Sequence, residues 1–352
     1  MTTSPPPHPA GPATASVSVI VPVRNEAECI ASTLDQLLDQ ELDGIDLEIL
    51  VVDGQSTDDT PEIVQRYVER YPSIRLLENP RRLSSAARNL AIEKSRSEYV
   101  VIIDGHCEIP TRRYFIELVD AFEESGADCL GRPQPLDVTS ATPLQLAIAV
   151  ARSSRLGHHP ESFIYSDQPQ FVPAKSVAVA YRRGVFDRVG LFDESFDAHE
   201  DGEFNYRCDR AGLRCYFVPA LAINYFPRTS LTGLFKQMVR YGRGRVRFSR
   251  KHPGTWGLGT LIPAMFVLYV ALGGTLALLV PGIRVPYAVG LAVYGVALLL
   301  SAAQRARENR EGGMLIRVPL VLLAVHLGAG VGTLLEIFQP RGPQRHRRQS
   351  SQ

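Results

Sequence analysis

Residues 258–280 carry no charged side chain, and that run limits what the chain can fold into more than any other feature. At a rise of about 1.5 Å per residue, a helix of this length crosses the ~30 Å hydrocarbon core of a bilayer. Soluble folds seldom need so long an apolar helix. Residues 285–303 form a second uncharged run, and residues 314–338 a third that is interrupted by Arg317, His326 and Glu336. The pattern predicts a membrane domain over 258–338 with two or three hydrophobic helices. Lys236, Arg240, Arg243, Arg245, Arg247, Arg250 and Lys251 precede the first run, only Arg284 follows it, and Arg305, Arg307 and Arg310 follow the second. Positive residues stay on the cytoplasmic side, so the segment before residue 258 is expected to face the cytoplasm from the inner (plasma) membrane. The basic tail, 339–352, holds Arg341, Arg345, Arg347 and Arg348 and would lie outside after three crossings. Either the third run is re-entrant or interfacial, or the charge bias is overruled there.

Composition excludes several classes for the remainder. With 38 Lys+Arg against 37 Asp+Glu, the net charge of +1 argues against a nucleic-acid binder driven by global charge, and no nucleic acid is expected as a partner. Five cysteines (Cys29, Cys107, Cys129, Cys208, Cys215) are an odd number without a CxxC pair, which fits neither a disulfide framework nor a structural zinc site. Residues 1–16 hold five prolines and no Asp, Glu, Lys or Arg, and read as a disordered leader rather than a signal peptide.

From 17 to 251 the chain alternates short β-rich runs with amphipathic stretches, as a soluble α/β domain does. Residues 17–23 (VSVIVPV) read as a buried strand ending at Arg24-Asn25-Glu26, with Asn25 as N-cap of the helix that follows. Residues 47–52 (LEILVV) form a second strand ending at Asp53, after which Thr60 and Pro61 suit the N-cap and first position of a second helix. A third strand, residues 99–103 (YVVII), ends at Asp104-Gly105-His106. Strand, polar loop and helix in repetition give a parallel sheet whose ligands gather at the carboxyl ends of the strands. Those ends offer Asn25 and Glu26, then Asp53, then Asp104 with His106.

A carboxylate at a strand end beside Gly and His suits a divalent cation bridging a diphosphate, with hard oxygen from Asp104 and nitrogen from His106. Taken alone, the triplet also fits a strand that ends in solvent. No glycine-rich phosphate loop is present, so P-loop and dinucleotide-fold readings fall away. Farther on, residues 192–207 pack six carboxylates into a stretch whose second half reads as a helix start. A carboxylate there, near a metal-bound leaving group, can serve as general base on an acceptor hydroxyl. The bland reading of such a run is a solvated acidic face.

In order, VSVIVPVRNEAE, LEILVVDGQSTDDT, RRLSSAARNLAIEKSRSEYVVIIDGH and AYRRGVFDRVGLFDESFDAHEDGEFNYRCDRAG resemble a family 2 glycosyltransferase of the GT-A fold. The resemblance covers about 17–250 and is greatest to the branch of succinoglycan-type exopolysaccharide glucosyltransferases, whose members also carry a C-terminal membrane segment. It implies an α/β nucleotide-sugar-binding domain with a mixed, mostly parallel sheet over 17–251. It also implies a nucleotide pocket lined by Pro22, Asn25, Glu26 and Asp53, with Arg81, Arg82 and Arg88 approaching the nucleotide. The metal-binding DxD element corresponds to Asp104-Gly105-His106, where His stands for the last Asp and leaves Asp104 as the safest ligand to Mg or Mn. The catalytic base corresponds to Asp201, with Glu200 as an orienting or acceptor-side partner. Gln237, Arg240 and Tyr241 resemble a QxxRW element near acceptor and diphosphate, and Arg228 falls where acceptor contacts are expected.

The expectation is a membrane-anchored, inverting, metal-dependent transferase moving a hexose, most simply glucose from UDP-glucose, to a lipid-linked glycan of exopolysaccharide or cell-envelope biosynthesis. Two other readings stay open: transfer to polyprenyl phosphate, and a noncatalytic membrane scaffold whose metal site has degenerated at His106.

Overall fold

The computed structural model describes residues 15–157, 163–164 and 166–339. The leader as far as Thr14 and the tail from Pro340 lie outside the described residues. The chain divides at Pro227/Arg228 into two compact units, so the basic helix before the first apolar run groups with the apolar helices.

Chain order in the first unit is β1 (Ala15–Val23), α1 (Ile30–Leu38), β2 (Ile45–Asp53), α2 (Thr60–Val68), β3 (Ile74–Glu78), α3 (Ser84–Lys94), β4 (Tyr99–Ile102), β5 (Cys107–Glu108) and α4 (Tyr114–Ser125). There follow β6 (Cys129–Gly131), α5 (Pro143–Arg152), β7 (Gln170–Val172), β8 (Ala178–Arg182), α6 (Gly184–Val189), α7 (Glu200–Arg210), β9 (Cys215–Phe217) and β10 (Asn224–Tyr225). Eight strands form one sheet in the order β3-β2-β1-β4-β8-β6-β9-β7, and β5 pairs with β10 in a two-stranded ribbon. The β3-β2-β1-β4 half is parallel, while β8 runs antiparallel to both β4 and β6. The sheet is therefore mixed, as expected.

The runs read as strands are apolar at almost every position because both faces of the sheet are covered. Val17, Val19, Val21 and Val23 join Ile49, Val51 and Val101 on one face, against Ile30, Leu34 and Leu37 of α1 and Phe115, Leu118 and Phe122 of α4. Ile20, Leu50, Val52, Val100 and Ile102 point the other way, onto Ala87 and Ala91 of α3 and Phe204 and Cys208 of α7. The two-residue period of a strand thus sorts one hydrophobic run into two cores. Strand order reverses at β1, with β2 on one side and β4 on the other, and the carboxyl ends of β1 and β4 flank the switch point where such sheets bind ligands.

Three local expectations are corrected. The first strand starts at Ala15, inside the stretch read as leader. Asn25 is not an N-cap: α1 starts at Ile30, and Asn25 instead takes a left-handed φ of 57°, which Asn tolerates better than most residues. Thr60 is already the first residue of α2, with Asp59 at the N-cap position.

The second unit holds α8 (Leu231–Lys251), α9 (Leu258–Leu268), a π-helical turn (Tyr269–Gly273), α10 (Gly274–Leu279), α11 (Arg284–Asn309) and α12 (Met314–Phe338). Leu258–Leu279, Pro281–Asn309 and Met314–Phe338 are each long and apolar enough to cross a membrane. They differ in cover: 11% of the first two stretches is buried within the structure, against 44% of the third. The cover on α12 comes from close backbone approaches that only glycine permits. A Cβ on Gly332 would lie 2.1 Å from the carbonyl oxygen of Val239, one on Gly242 2.2 Å from that of Ala329, and one on Gly330 2.1 Å from that of Pro263.

Candidate active site

The loop after β1 is laced onto the loop after β2. Asn25 Oδ1 accepts from the Thr57 N–H at 2.8 Å, and the Asn25 N–H donates to Ser56 Oγ at 2.9 Å. The N–H groups of Glu26 and Ala27 donate to Thr60 Oγ1 (2.8 Å) and Asp58 Oδ2 (3.1 Å). Asp53, buried at the end of β2, accepts from the Ser56 hydroxyl at 2.5 Å and the Ser56 N–H at 3.1 Å. Pro22, half-buried, lies opposite Val52 in the parallel register. Pro22, Asn25, Glu26 and Asp53 are thereby gathered at one sheet edge. Arg82 reaches the same loop through Nε to Gln55 Oε1 at 2.6 Å, while exposed Arg81 pairs with Glu194.

Beside this edge lies the end of β4. Gly105 is packed so closely that an added Cβ would meet Val23 Cγ1 at 2.8 Å, so glycine keeps the Asp104-Gly105-His106 turn against β1. His106 Nδ1 lies 3.0 Å from Glu26 Oε1. The third position of the element is therefore occupied with a carboxylate of the first strand end. No donor among the described residues hydrogen-bonds the half-buried carboxylate of Asp104.

The acidic stretch is sorted by the start of α7. Glu203 is fully buried and held by Arg207 at 3.0 Å, with Arg207 in turn donating to the carbonyls of Val189 and Leu191, both at 2.7 Å. Glu200 is buried and lies 3.2 Å from Arg88 Nη1. Asp201, one residue on, is exposed, and among the described residues its Oδ1 accepts only from the adjacent Gly202 N–H, at 2.7 Å. One helix start thus supplies a structural carboxylate, an arginine-paired one and an accessible one.

Arg88, on α3, ties these parts together. Burial alone would lower its pKa, but the carboxylates of Glu200, Asp201 and Asp104, in that order of strength, hold it charged and raise the value overall. Its guanidinium also lies over the Phe192 ring at 5.3 Å, and its Nε is buried without a hydrogen-bond partner. The strand end carrying Asp104 and the helix start carrying Asp201 therefore share the field of one buried cation. Arg88, expected to approach the nucleotide, has a side chain 10% exposed and pairs with Glu200.

Tyr225 falls in the stretch 225–228 where the resemblance expects acceptor contacts, but its buried partner Arg132 is not distinguished in the sequence. Arg132, 1% exposed, donates through Nη2 to Tyr225 Oη at 3.3 Å, and its Nε and Nη1 have no hydrogen-bond partner. Burial and then the charge of Asp104 push the Tyr225 phenol above its usual range. Its ring also meets that of His106 edge-on at 6.4 Å. Arg132 follows a three-residue strand, and nothing in the flanking sequence distinguishes it from a surface arginine.

Arg228, Gln237, Arg240 and Tyr241 belong to the second unit. Gln237 Nε2 donates to Tyr241 Oη at 3.3 Å along one face of α8, and Arg228, Arg240 and Tyr241 are exposed.

Among the described residues, no group of three His, Cys, Asp or Glu side chains could by itself hold a metal ion. The donor set fits a cation only if a diphosphate completes it, with the uncommitted oxygens of Asp104 as the protein's share.

A mixed sheet with ligand-binding loops at its switch point, an uncommitted carboxylate at a strand end and an accessible one at a helix start define a nucleotide-sugar transferase of the GT-A type. The comparisons name the family. Residues 18–190 match the profile described as Glycosyl transferase family 2. The chain is 32% identical over 328 residues to the succinoglycan biosynthesis protein ExoA of Rhizobium meliloti (strain 1021), an alignment spanning 92% of this chain and 95% of that one. The protein belongs to glycosyl transferase family 2. It is 23% identical over 315 residues, 88% of this chain and 93% of the other, to the dolichyl N-acetyl-alpha-D-glucosaminyl phosphate 3-beta-D-2,3-diacetamido-2,3-dideoxy-beta-D-glucuronosyltransferase of Methanococcus voltae. The mannosyltransferase PcManGT of Pyrobaculum calidifontis, solved with GDP-Man and Mn2+, shares the fold with a TM-score of 0.57 at 20% identity, covering 95% of this chain and 91% of that one.

Proposed function

We propose that this glycosyltransferase is anchored in the inner membrane with its catalytic unit in the cytoplasm. In this reading it transfers glucose from UDP-glucose, with inversion, to a hydroxyl of a lipid-linked glycan in exopolysaccharide or cell-envelope synthesis. The observation that carries the reading is the sharing of Arg88 by Asp104 on one side and Glu200 and Asp201 on the other. In this reading it couples a leaving-group side to an acceptor side. The likeness to a succinoglycan biosynthesis protein and to an enzyme named for a dolichyl-linked sugar supports a lipid-linked glycan as acceptor.

Asp53 and the laced Asn25 and Glu26 loop hold the nucleoside, with Pro22, Arg81 and Arg82 at its margin. Asp104 would supply the protein oxygen to a divalent cation, Mg or Mn, and His106 orients that turn through Glu26. The cation, when bound, neutralises charge on the departing diphosphate. Asp201 takes the proton of the acceptor hydroxyl as its oxygen bonds to the anomeric carbon from the far side. The bond from that carbon to the diphosphate oxygen breaks and the electron pair leaves with the nucleotide. Glu200 is held by Arg88 and fixes the helix start that presents Asp201. Arg228, Gln237, Arg240 and Tyr241 are assigned to the acceptor and diphosphate side.

The test is metal-dependent binding and turnover of a panel of nucleoside diphosphate sugars by the detergent-solubilised full chain. Asp201→Asn should bind UDP-glucose like wild type and lose about 10²–10⁴-fold in turnover, the usual worth of a general base. Asp104→Ala should lose metal-dependent donor binding. Wild-type turnover in Asp201→Asn would remove the base assignment, and folded wild type that binds no nucleotide sugar would favour the scaffold.

A further inference from the structure

We infer that the three apolar stretches cross the membrane twice, not three times: α9–α10 and α11 form the crossing hairpin, and α12 lies along the leaflet that faces α8, returning the C-terminal tail to the side from which the chain entered. The inference deepens the membrane reading above and rests on it.

Within the second unit, the two ends of the apolar region meet at one place. The chain leaves α8 and enters α9 at a point that α8 itself marks, with Arg245 Nη1 donating to the Gly259 carbonyl at 3.5 Å. It comes back to the same stretch of α8 at the end of α12. There Arg243 Nε and Arg247 Nε lie 2.9 and 3.0 Å from the two carboxylate oxygens of Glu336, and Arg250 Nη2 donates to the Ile337 carbonyl at 2.9 Å. The close approaches of Gly332 to Val239 and of Gly330 to Pro263 fix α12 against α8 and α9 at this end. A path that leaves and returns to one arginine-rich stretch starts and ends on one side of the bilayer, because that stretch cannot itself lie in hydrocarbon. The number of crossings between Gly259 and Glu336 is therefore even.

Charge decides which stretch stays out. The turn between α10 and α11 is Val280-Pro281-Gly282-Ile283, and the adjoining Arg284 is folded back, its Nε donating to the Ala277 carbonyl at 3.0 Å. The turn between α11 and α12 is flanked by Arg305, Arg307, Glu308, Arg310, Glu311 and Arg317, with Arg317 and Glu311 paired at 2.5 Å. The charged turn shares the side of the α8 arginines and the apolar turn takes the other. α12 joins the two charged ends and so does not complete a crossing, although its middle dips toward α11, where His326 Nδ1 lies 2.8 Å from Tyr294 Oη. It is apolar on both sides: Val318, Val321, Leu322 and Val325 are buried within the unit, and Ile316, Leu320, Leu335 and Phe338 are exposed. The occupant of the exposed face is the acyl boundary of that leaflet.

Cysteines added one at a time to the full-length protein, with half-buried Cys29 replaced (Cys29→Ser) and the protein carrying only the buried Cys107, Cys129, Cys208 and Cys215 as the background control, test this by sided labelling with a membrane-impermeant maleimide in sealed right-side-out and inside-out vesicles. Gly282 and Gly312 have nothing within 4 Å of an added Cβ, so Gly282→Cys and Gly312→Cys should fold, and Ser351→Cys reports the tail. Labelling of each variant after detergent solubilisation shows that its thiol is reachable. The expected result is label on Gly312→Cys and Ser351→Cys from one face and on Gly282→Cys from the other. Label on Ser351→Cys and Gly282→Cys from the same face means three crossings and overturns the inference while leaving the membrane reading intact. Label on all three from one face, or loss of the protein from membranes in alkaline carbonate, overturns both.

Discussion

Arg88 is where removing a single side chain should be felt most. It and Glu200 are each 10% exposed, and breaking a buried ion pair costs about 3–5 kcal/mol because the partner keeps its charge without water. Arg88→Met should therefore lower thermal stability sharply, with three carboxylates left facing one another. Glu200→Gln should cost less, since Asp201 and Asp104 still face the guanidinium. The double variant should recover part of the loss, and strictly additive melting shifts would show that the pair is not coupled. Asp58 makes a smaller, pH-dependent contribution. The Thr60 hydroxyl, at 2.6 Å, and then the N–H groups of Ala27 and Thr60 hold its carboxyl below the ordinary value of 3.8, although residual burial opposes them. A depressed folded value means that the stabilisation is complete above 3.8 and is lost as pH falls through the lower folded value. The gap in melting temperature between wild type and Asp58→Asn should narrow as pH drops below 3.8, and a gap that stays constant would remove Asp58 from the account of this loop.

Between elements, the α8–α12 contact is made by backbone. At Gly332, where a methyl group would meet the Val239 carbonyl oxygen at 2.1 Å, neither side can yield by a rotamer change. Gly332→Ala should destabilise by about 1–3 kcal/mol, as overpacking does. Gly295, in α11, has open space where a Cβ would go, and Gly295→Ala should be neutral or gain up to about 1 kcal/mol from helix propensity. Equal effects of the two in thermal unfolding would mean that helix propensity, not the crossing, governs both. The same contrast marks what the sequence disclosed. The strands β1, β2 and β4 are legible because both of their faces are covered, which leaves unbroken apolar runs, and the ends of those runs give the positions of Asp53 and Asp104 in the fold, though not their roles. The strands from β6 to β10 are two to five residues long and too short to show a period, which is why Arg132 and its contact with Tyr225 are not legible. Asn25 was misplaced because its side chain can cap a helix or stabilise a left-handed turn, and only the opposing Thr57 N–H decides between them.

For the whole molecule, attachment to the bilayer can come from charge or from hydrocarbon, and the two respond differently to solution conditions. A protein held by the arginines of α8 alone would be released by about 1 M salt, where the screening length falls to ~3 Å. A protein held by the α9–α11 hairpin would not, because hydrophobic burial is insensitive to screening and is strengthened by many salts. Hydropathy along the chain separates these cases poorly for the third run: its apolar length argues for a span, while Glu336 and the basic tail argue against one. Neither fact reveals that Glu336 returns to Arg243 and Arg247. That return places Glu336 at the end of α12 beside α8, while Arg317 at the other end pairs with Glu311, so the charged groups of α12 sit at its two ends and do not anchor the chain in hydrocarbon. The full chain should therefore remain in the membrane pellet through both 1 M salt and alkaline carbonate, and leave it only in detergent. Replacing Arg243 and Arg247 together with Gln should weaken the hold on α12, seen as faster proteolysis near Phe338, while the protein still sediments with the membrane. Release of that variant by salt would show that the helices Leu258–Leu279 and Pro281–Asn309 do not hold the chain and that charge does.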